Sequence, residues 1–441
     1  MSDGRDRLTM EEPDGWPGEV ILEGRTTLYL PPRNSEEEVN RLGPGDREER
    51  EVFHNSAMAA SRTRSVVLMA HEFNEGWLGA ADKPIRTLDA LTATGARSLR
   101  WLHELPEEAA ARLQLTQVDR DERAIGWAAT NLSHNPPKNP NSGVKQLIGD
   151  VRQISLGQGW QWVDIDPFGS PVPFLDTVLQ STARRAVIEV TATDTAALTG
   201  SSTSALRRRY GARARLDSIA HDTGLRILLA RIAENAARHD RAIEPLLSIW
   251  DGHHLRVSLR VTRSVEEANE VEQSLGWRIA DPTAEEVSTP DDEGVPHILV
   301  PLAEPVDVTD ERVSGPLWIG PLGNAETMAA MSEERAVELC APADDGLTGD
   351  SEDHLANRAA RRAVGRAVRH IAEEASAIQA TNLIVVDDIP SRLGIGSPPS
   401  PTKLASALRR EGYSAAVAAY GKPAIRTDAP WSTVSAAVLS L

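Results

Sequence analysis

Ile85-Arg-Thr-Leu-Asp-Ala-Leu-Thr-Ala-Thr-Gly95-Ala-Arg-Ser-Leu-Arg-Trp-Leu-His-Glu104 is the stretch from which the fold of this 441-residue chain can be read. Ile85–Leu91 reads as a buried strand, Thr92–Gly95 as a turn of small residues, and Ala96–Glu104 as a helix. A single glycine in the turn rules out the Gly-rich dinucleotide fingerprint. Small residues there still let the backbone approach a bound nucleoside closely, beside a helix N-terminus. Taken alone, the segment is equally an ordinary strand–turn–helix.

The alternation continues downstream. Strands are expected at Leu113–Asp119, Val144–Ile148, Gln161–Ile165 and Ala186–Val190, and helices at Glu122–Asn131 and Pro171–Thr182. A long helix over Leu216–Asp240 carries Leu225, Leu228, Leu229 and Ile232 on one face, and a hairpin follows at Ile243–Trp250 and Leu255–Val261. Strands alternating with helices predict an α/β fold: a doubly wound, mostly parallel sheet with helices on both faces. The terminal antiparallel pair suits the methyltransferase variant of that Rossmann-like architecture. Upstream, residues 1–50 are polar, acidic and rich in Pro and Gly, with one strand pair around Val20–Leu30. After Arg263 the composition shifts. Ser264–Asp353 reads as irregular, His354–Ala375 as a basic helix, Ser400–Glu411 as a helix capped by Ser400 and closed by Gly412, and Tyr413–Ala419 as a strand. The expected organisation is an N-terminal extension (1–50), a catalytic domain (51–263) and a smaller C-terminal α/β domain (264–441).

Ligands of doubly wound sheets bind outside the carboxyl ends of the strands, so acids there carry weight. Asp119 ends the second strand, where a carboxylate can accept from both ribose hydroxyls; it could equally cap the helix starting near Asp121. Gly149-Asp150-Val151 ends the third strand, where an acid can accept from an adenine amino group or simply close a turn. The sharpest signal is Asp164-Ile-Asp166-Pro-Phe168-Gly-Ser-Pro171, after the fourth strand. An amino nitrogen on a nucleobase is a poor nucleophile because its lone pair is delocalised into the ring. The Asp166 carboxylate and the Pro167 carbonyl can hold its two N–H bonds, turning the lone pair toward a methyl sulfonium in near-attack geometry. Phe168 offers a face on which an extruded base can stack. His134-Asn-Pro-Pro-Lys138 contains a similar Asn-Pro-Pro, but it follows a helix and has Lys138 where an aromatic is needed, so it reads as a loop.

Composition narrows the partners. The net charge is −18, with 65 acidic against 47 basic residues, and only five of the latter are lysines (Lys83, Lys138, Lys145, Lys403, Lys422). Such a charge repels nucleic acid in ordinary buffer. In molar salt the Debye length falls to about 3 Å, and an acidic, lysine-poor surface then reads as halophilic adaptation. Against that background two arginine clusters stand out as candidate phosphate contacts: Arg207–Arg215, and Arg358, Arg361, Arg362, Arg366 and Arg369 on one helix. Internal pairing with carboxylates is the alternative. Cys340 is the single cysteine and His253-His254 lacks further ligands, so no metal site is expected. There is no apolar run of membrane-spanning length and no apolar core in the first residues, so a cytoplasmic protein is expected.

Several blocks together resemble the archaeal tRNA (guanine(26)-N2)-dimethyltransferases. They are Val52-Phe-His-Asn-Ser-Ala-Met58 with Arg62, Leu88–Arg97, Asp164–Phe174, Val190-Thr-Ala-Thr-Asp-Thr-Ala197, Leu206–Arg213, His221–Ile227, Gly315–Leu322, Ala407–Tyr413 and Ala424–Pro430. The resemblance runs from about Leu22 to the end of the chain. It implies a class I S-adenosylmethionine-dependent methyltransferase that adds one or two methyl groups to guanine N2 of tRNA, with the C-terminal domain binding the tRNA. By position it implies that Arg62, Arg97, Asp119, Asp150 and Val151 bind S-adenosyl-L-methionine, and that Asp166 and Phe168, joined by Phe53, handle the base. It further implies an archaeal source; from the residues themselves no metal and no membrane partner are expected, and the chain is expected to be monomeric. Three features depart from the family: Asn55-Ser-Ala57 replaces its Asn-Pro-Arg, cysteine pairs after the hairpin are lacking, and Gly200–Ser204 lacks its cysteine and proline pattern.

Two rival readings are weighed against an RNA amino-methyltransferase. The first is an amino-methyltransferase for DNA or a small molecule with the same pocket; a small substrate would not need a large arginine-bearing second domain. An RNA-binding module without catalysis would not need Asp166 and Phe168 intact.

Overall fold

The computed structural model describes residues 16–33, 50–80, 82–343 and 352–441; most of the polar stretch assigned to 1–50 lies outside them. A short antiparallel hairpin of β1 (Glu19–Glu23) and β2 (Thr26–Leu30) comes first. Seven strands then build the main sheet: β3 (Ile85–Asp89), β4 (Leu113–Asp119), β5 (Gly143–Ile148), β6 (Trp160–Ile165), β7 (Thr182–Ala192), β8 (Arg241–Trp250) and β9 (Leu255–Arg263). Their order is β5-β4-β3-β6-β7-β9-β8. β3 pairs in parallel with both β4 and β6, and β4 with β5, whereas β9 runs antiparallel to β7 and β8. This is the doubly wound, Rossmann-like sheet with an antiparallel end. β6 is buried at every position, as a central strand covered on both faces must be.

The chain divides into two compact units. The first comprises residues 1–164 and 331–369. Its core includes Trp101 and Trp162, packed edge to face at 6.4 Å, and the buried helix Ala59–Asn74. That helix hides even Ser61, Arg62, Thr63, Arg64 and Ser65. Arg64 spends its guanidinium on the Ala367 carbonyl, at the end of the helix Glu352–Ala367.

The second unit comprises residues 165–330 and 370–441. Here Ser264–Asp353 departs from the irregular structure its composition suggests. Within it β10 (Leu275–Ala280), β11 (His297–Pro301) and β12 (Val313–Trp318) form an antiparallel sheet of order β11-β10-β12, and the helix Ala325–Ala330 follows. The remainder of that stretch includes the helix Glu333–Cys340 of the first unit. A second three-stranded antiparallel sheet contains β13 (Asn382–Val385), β14 (Ala415–Val417) and β15 (Ala424–Thr427), in the order β13-β15-β14. Leu404, Leu408, Ile425, Trp431 and Val434 are among the side chains that pack one of its faces.

Several boundaries shift for local reasons. The basic helix ends at Ala367 rather than Ala375, because His370 adopts a left-handed φ of 66° that interrupts it. The long helix starts at Ala220, after an exposed Leu216. The helix Pro401–Arg410 draws no side-chain hydrogen bond from Ser400; Pro401 sets its first turn and Gly412, at φ 95°, lies beyond its end.

Candidate functional site

The loop Thr92–Gly95 after β3 is pinned from three directions. Asp89 is buried and accepts from Thr92 Oγ1 at 2.8 Å and from Ser98 Oγ. The Thr92 amide donates to the Val118 carbonyl at 3.0 Å. The Ala93 amide donates to Asp119 Oδ2 at 3.0 Å, and the Asp121 amide to Asp119 Oδ1 at 3.0 Å. Gly95 sits at φ 77°, and a Cβ there would meet Gln117 Nε2 at 2.9 Å and Ala128 Cβ at 3.3 Å. Glycine is required by both conformation and space.

Asp119 therefore braces the loop rather than capping the next helix, whose cap is Asp121. The Gly149 amide donates to the Asp119 carbonyl at 2.9 Å, which brings Asp150 and Val151 to the same edge. Asp150 caps the turn Val151–Ile154 through the Arg152 amide at 2.9 Å. Its carboxylate is also paired with the Arg152 guanidinium at 2.5 Å, which holds its pKa down at about 2. Val151 is buried beside it.

Arg62 and Arg97, expected from the sequence to contact the cofactor, are engaged with carboxylates. Arg97 is buried, its Nε 2.9 Å from Asp164 at the end of β6, while the Asp164 carbonyl accepts from the Ala90 amide at 3.1 Å. Arg62 forks onto Glu23 with two bonds of 2.6 Å and also donates to the Asn55 carbonyl at 3.1 Å. It thereby fastens the segment that carries Phe53, whose ring is partly exposed. Burial alone would raise the Glu23 carboxyl, but Arg62 and Arg100 outweigh it and hold the pKa at about 2.

In the second unit, Asp166 is half-buried and Phe168 is 62 % exposed. The turn they stand on is tied down at the next two residues. The Gly169 amide donates to Thr193 Oγ1 at 2.6 Å, and the Thr193 amide returns a bond to the Gly169 carbonyl at 3.0 Å. Ser170 Oγ donates to the Tyr210 hydroxyl at 3.0 Å, which donates to Asp194 Oδ1 at 2.7 Å. None of Asp89, Thr193, Asp194 and Tyr210 has a role assigned by sequence reasoning. All four lie in quoted blocks whose repeated small and polar residues gave the only signal.

The arginine clusters split. Arg209 pairs with Asp194 at 2.9 Å, Arg215 with Asp281 at 3.2 Å, and Arg361 donates to the Pro342 carbonyl at 2.8 Å. Arg369 lies 3.8 Å from Glu333, while Arg207, Arg208, Arg358, Arg362 and Arg366 are exposed.

A family model described as "N2,N2-dimethylguanosine tRNA methyltransferase" matches residues 35–439. A tRNA (guanine(26)-N(2))-dimethyltransferase of Aeropyrum pernix is 28% identical over 439 residues, covering 96% of this chain and 97% of its own. The protein of the same name from Methanoregula boonei is 30% identical over 409 residues, covering 92% and 94%. Among solved structures, Trm1 from Pyrococcus horikoshii in complex with S-adenosyl-L-methionine matches with a TM-score of 0.72 and 24% identity, over 95% of this chain and 99% of that one.

Proposed function

Because this chain belongs to the N2,N2-dimethylguanosine tRNA methyltransferase family, we propose that its site works on the guanine at position 26 of tRNA, adding one or two methyl groups to N2. The chain is an S-adenosylmethionine-dependent enzyme that methylates guanine N2 in tRNA. The observation that carries the finer reading is the anchored turn Asp166–Pro171, with an exposed aromatic one residue beyond an acceptor pair.

S-adenosylmethionine supplies a methyl group on a sulfonium. The residues present fit it: a braced loop with no room for a Cβ at Gly95, and the Asp119 carboxylate at the adjoining strand end. In the proposed assignment Asp119 accepts from the ribose, Asp150 and Val151 face the adenine, and Arg62 and Arg97 order the surrounding carboxylates and loops. Phe53 and Phe168 hold the guanine ring. Asp166 and the Pro167 carbonyl accept the two N2 hydrogens, so the nitrogen lone pair points at the methyl carbon. Forming the N–C bond would break the methyl–sulfonium bond and leave a neutral thioether; the nitrogen, made cationic, would have to shed one proton, for which Asp166 is the acceptor.

Residues 51–263 form the methyltransferase domain and 264–441 a tRNA-binding domain, with the exposed arginines meeting phosphates. The enzyme works as a monomer in the cytoplasm of a halophilic archaeon; no helix among the described residues is long and apolar enough to cross a membrane. The test is to incubate the protein with methyl-labelled cofactor and tRNA transcripts bearing guanine or adenine at position 26. Nucleoside mass spectrometry should find N2-methylated and N2,N2-dimethylated guanosine only in the first. Equal labelling of both transcripts would refute the position, and an A26 control labelled on adenine would refute the base.

A further inference from the structure

We infer that Tyr210 and Asp194 are positioning residues for the base-holding turn, acting through Ser170. The inference rests on the reading of Asp166 and Phe168 as the groups that hold the guanine.

The problem they solve begins with Phe168. A ring that is 62 % exposed is not set by packing into a core, so the backbone beneath it bears on its pose. That backbone passes at once into Gly169, at φ 77°, with open space where a Cβ would stand. Glycine is there for conformation, and it leaves the turn with more freedom than any other residue would. Something else must supply rigidity.

A one-way chain of hydrogen bonds does so. An ionised carboxylate only accepts, so the single Tyr210 proton goes to Asp194 Oδ1, at 2.7 Å. The phenol oxygen is then an acceptor, and Ser170 Oγ donates its only proton there, at 3.0 Å. Ser170 Oγ keeps its lone pairs for the Val172 amide, at 3.4 Å, the first residue of the helix Val172–Gln180. Arg209 caps the other end of the chain on Asp194 Oδ2, at 2.9 Å. A second, independent tie joins Gly169 and Thr193 by two bonds.

Burial makes the chain costly to break. Tyr210 is 3% exposed and the Asp194 side chain 8%, and a buried hydroxyl or carboxylate without a partner loses its hydration for nothing in return. Burial, helped by the nearby Asp194 charge, also pushes the phenol well above its ordinary range, so it remains a donor throughout the physiological span. Asp194 and Tyr210 lie in the Val190–Ala197 and Leu206–Arg213 blocks, well along the sequence from the turn they hold.

The experiment uses the full chain, a tRNA transcript and S-adenosylmethionine, with Tyr210→Phe and Ser170→Ala as variants. Each should lower kcat about tenfold, the rate equivalent of one lost hydrogen bond, with cofactor Kd and thermal midpoint close to wild type. The double variant should be no worse than either single one, because both break one chain. Asp194→Asn, whose amide oxygen still accepts from Tyr210, should recover most of the rate. With 2-aminopurine at the target position and S-adenosylhomocysteine bound, the stacking quench seen for wild type should be reduced in Tyr210→Phe. Wild-type kcat in both single variants overturns the inference, as does a rate loss matched by equal losses of cofactor affinity and stability. If Tyr210→Phe fails to fold, Ser170→Ala decides alone. Wild-type enzyme that transfers no methyl to guanine N2 refutes the underlying reading instead.

Discussion

Asp119 is asked to do two things, and a substitution can separate them. Its carboxylate braces the loop after β3 by accepting the Ala93 and Asp121 amides, each at 3.0 Å, and it is proposed to accept from the ribose as well. Backbone bonds to a carboxylate are charge-assisted and contribute about 1.5–3 kcal/mol each when buried. Asp119 is only half-buried, so solvent screening reduces both, and Asp119→Ala should destabilise the fold by about 1–2 kcal/mol. Loss of the ribose contact adds about 2 kcal/mol to cofactor binding, roughly a 30-fold rise in Kd. Calorimetry with S-adenosylhomocysteine measures the second effect, and denaturant unfolding the first. The discriminating ligand is the 2′-deoxy analogue. Wild type should bind it several-fold more weakly than the parent, and Asp119→Ala should treat the two alike, which is the signature of a direct contact in a double-mutant cycle. If the deoxy penalty survives in the variant, Asp119 only braces the loop and the ribose is held elsewhere.

Asp166→Ala should abolish methyl transfer while cofactor Kd stays within a few-fold, since Asp166 is assigned to the base; calorimetry showing both lost together would reverse that assignment. Glu23 is held at about 2 against an ordinary 4.5 by buried Arg62 and Arg100. A depressed carboxyl stabilises the fold above its unfolded pKa and loses that contribution as pH falls toward its folded one. Glu23→Gln, which leaves two buried guanidiniums short of a partner, should therefore cost about 3–5 kcal/mol at neutral pH, and the gap to wild type should shrink between pH 4.5 and 2; denaturant unfolding that finds the gap constant there would refute the pairing. Methylation assayed from about 0.1 to 3 M KCl, with folding followed by circular dichroism, should rise through the submolar range as carboxylate repulsion is screened. Highest activity at the lowest salt in a folded protein would contradict the halophilic reading.

The regular half of the fold was legible because its signals are local. Ala96–Glu104 and Leu113–Asp119 occur where the apolar pattern and the following polar residues place them. The helix Ala59–Asn74 gave no such pattern, because tertiary contacts bury Ser61, Arg62, Thr63, Arg64 and Ser65 along with its apolar residues, leaving no polar face to mark a period. The three strands hidden in Ser264–Asp353 were obscured for a related reason: β10 contains Gly276 and the buried Arg278, and β12 contains Gly315 and Pro316, residues that ordinarily signal loops. Arg278 is tolerated there because it bonds Thr223 Oγ1 at 3.0 Å and pairs with Asp217.

The blocks that the resemblance singled out turn out to be fragments of shared polar clusters, which explains why each looked arbitrary alone. Asp222 and Arg226 from the His221 block form a buried pair at 2.8 Å. Arg226 reaches the carbonyls of Trp318 and Gly320 in the Gly315 block, at 3.0 and 2.9 Å. Arg426, from the Ala424 block, bonds Asp222 at 3.3 Å and Glu374 at 2.7 Å. Three distant segments thus close one buried network. In such a network the planar fork of arginine bonds two or three acceptors at once, which an ammonium cannot reproduce. Part of the lysine scarcity of this chain therefore has an interior cause. Arg62, Arg97, Arg100, Arg226, Arg256, Arg278 and Arg426 are all buried and paired with carboxylates. What remains outside is a selected set. Arg358, Arg362 and Arg366 recur every fourth residue along the helix Glu352–Ala367, about 6 Å apart on one exposed face. On a chain of net charge −18, this exposed row of cations is one on which the proposed phosphate contact rests.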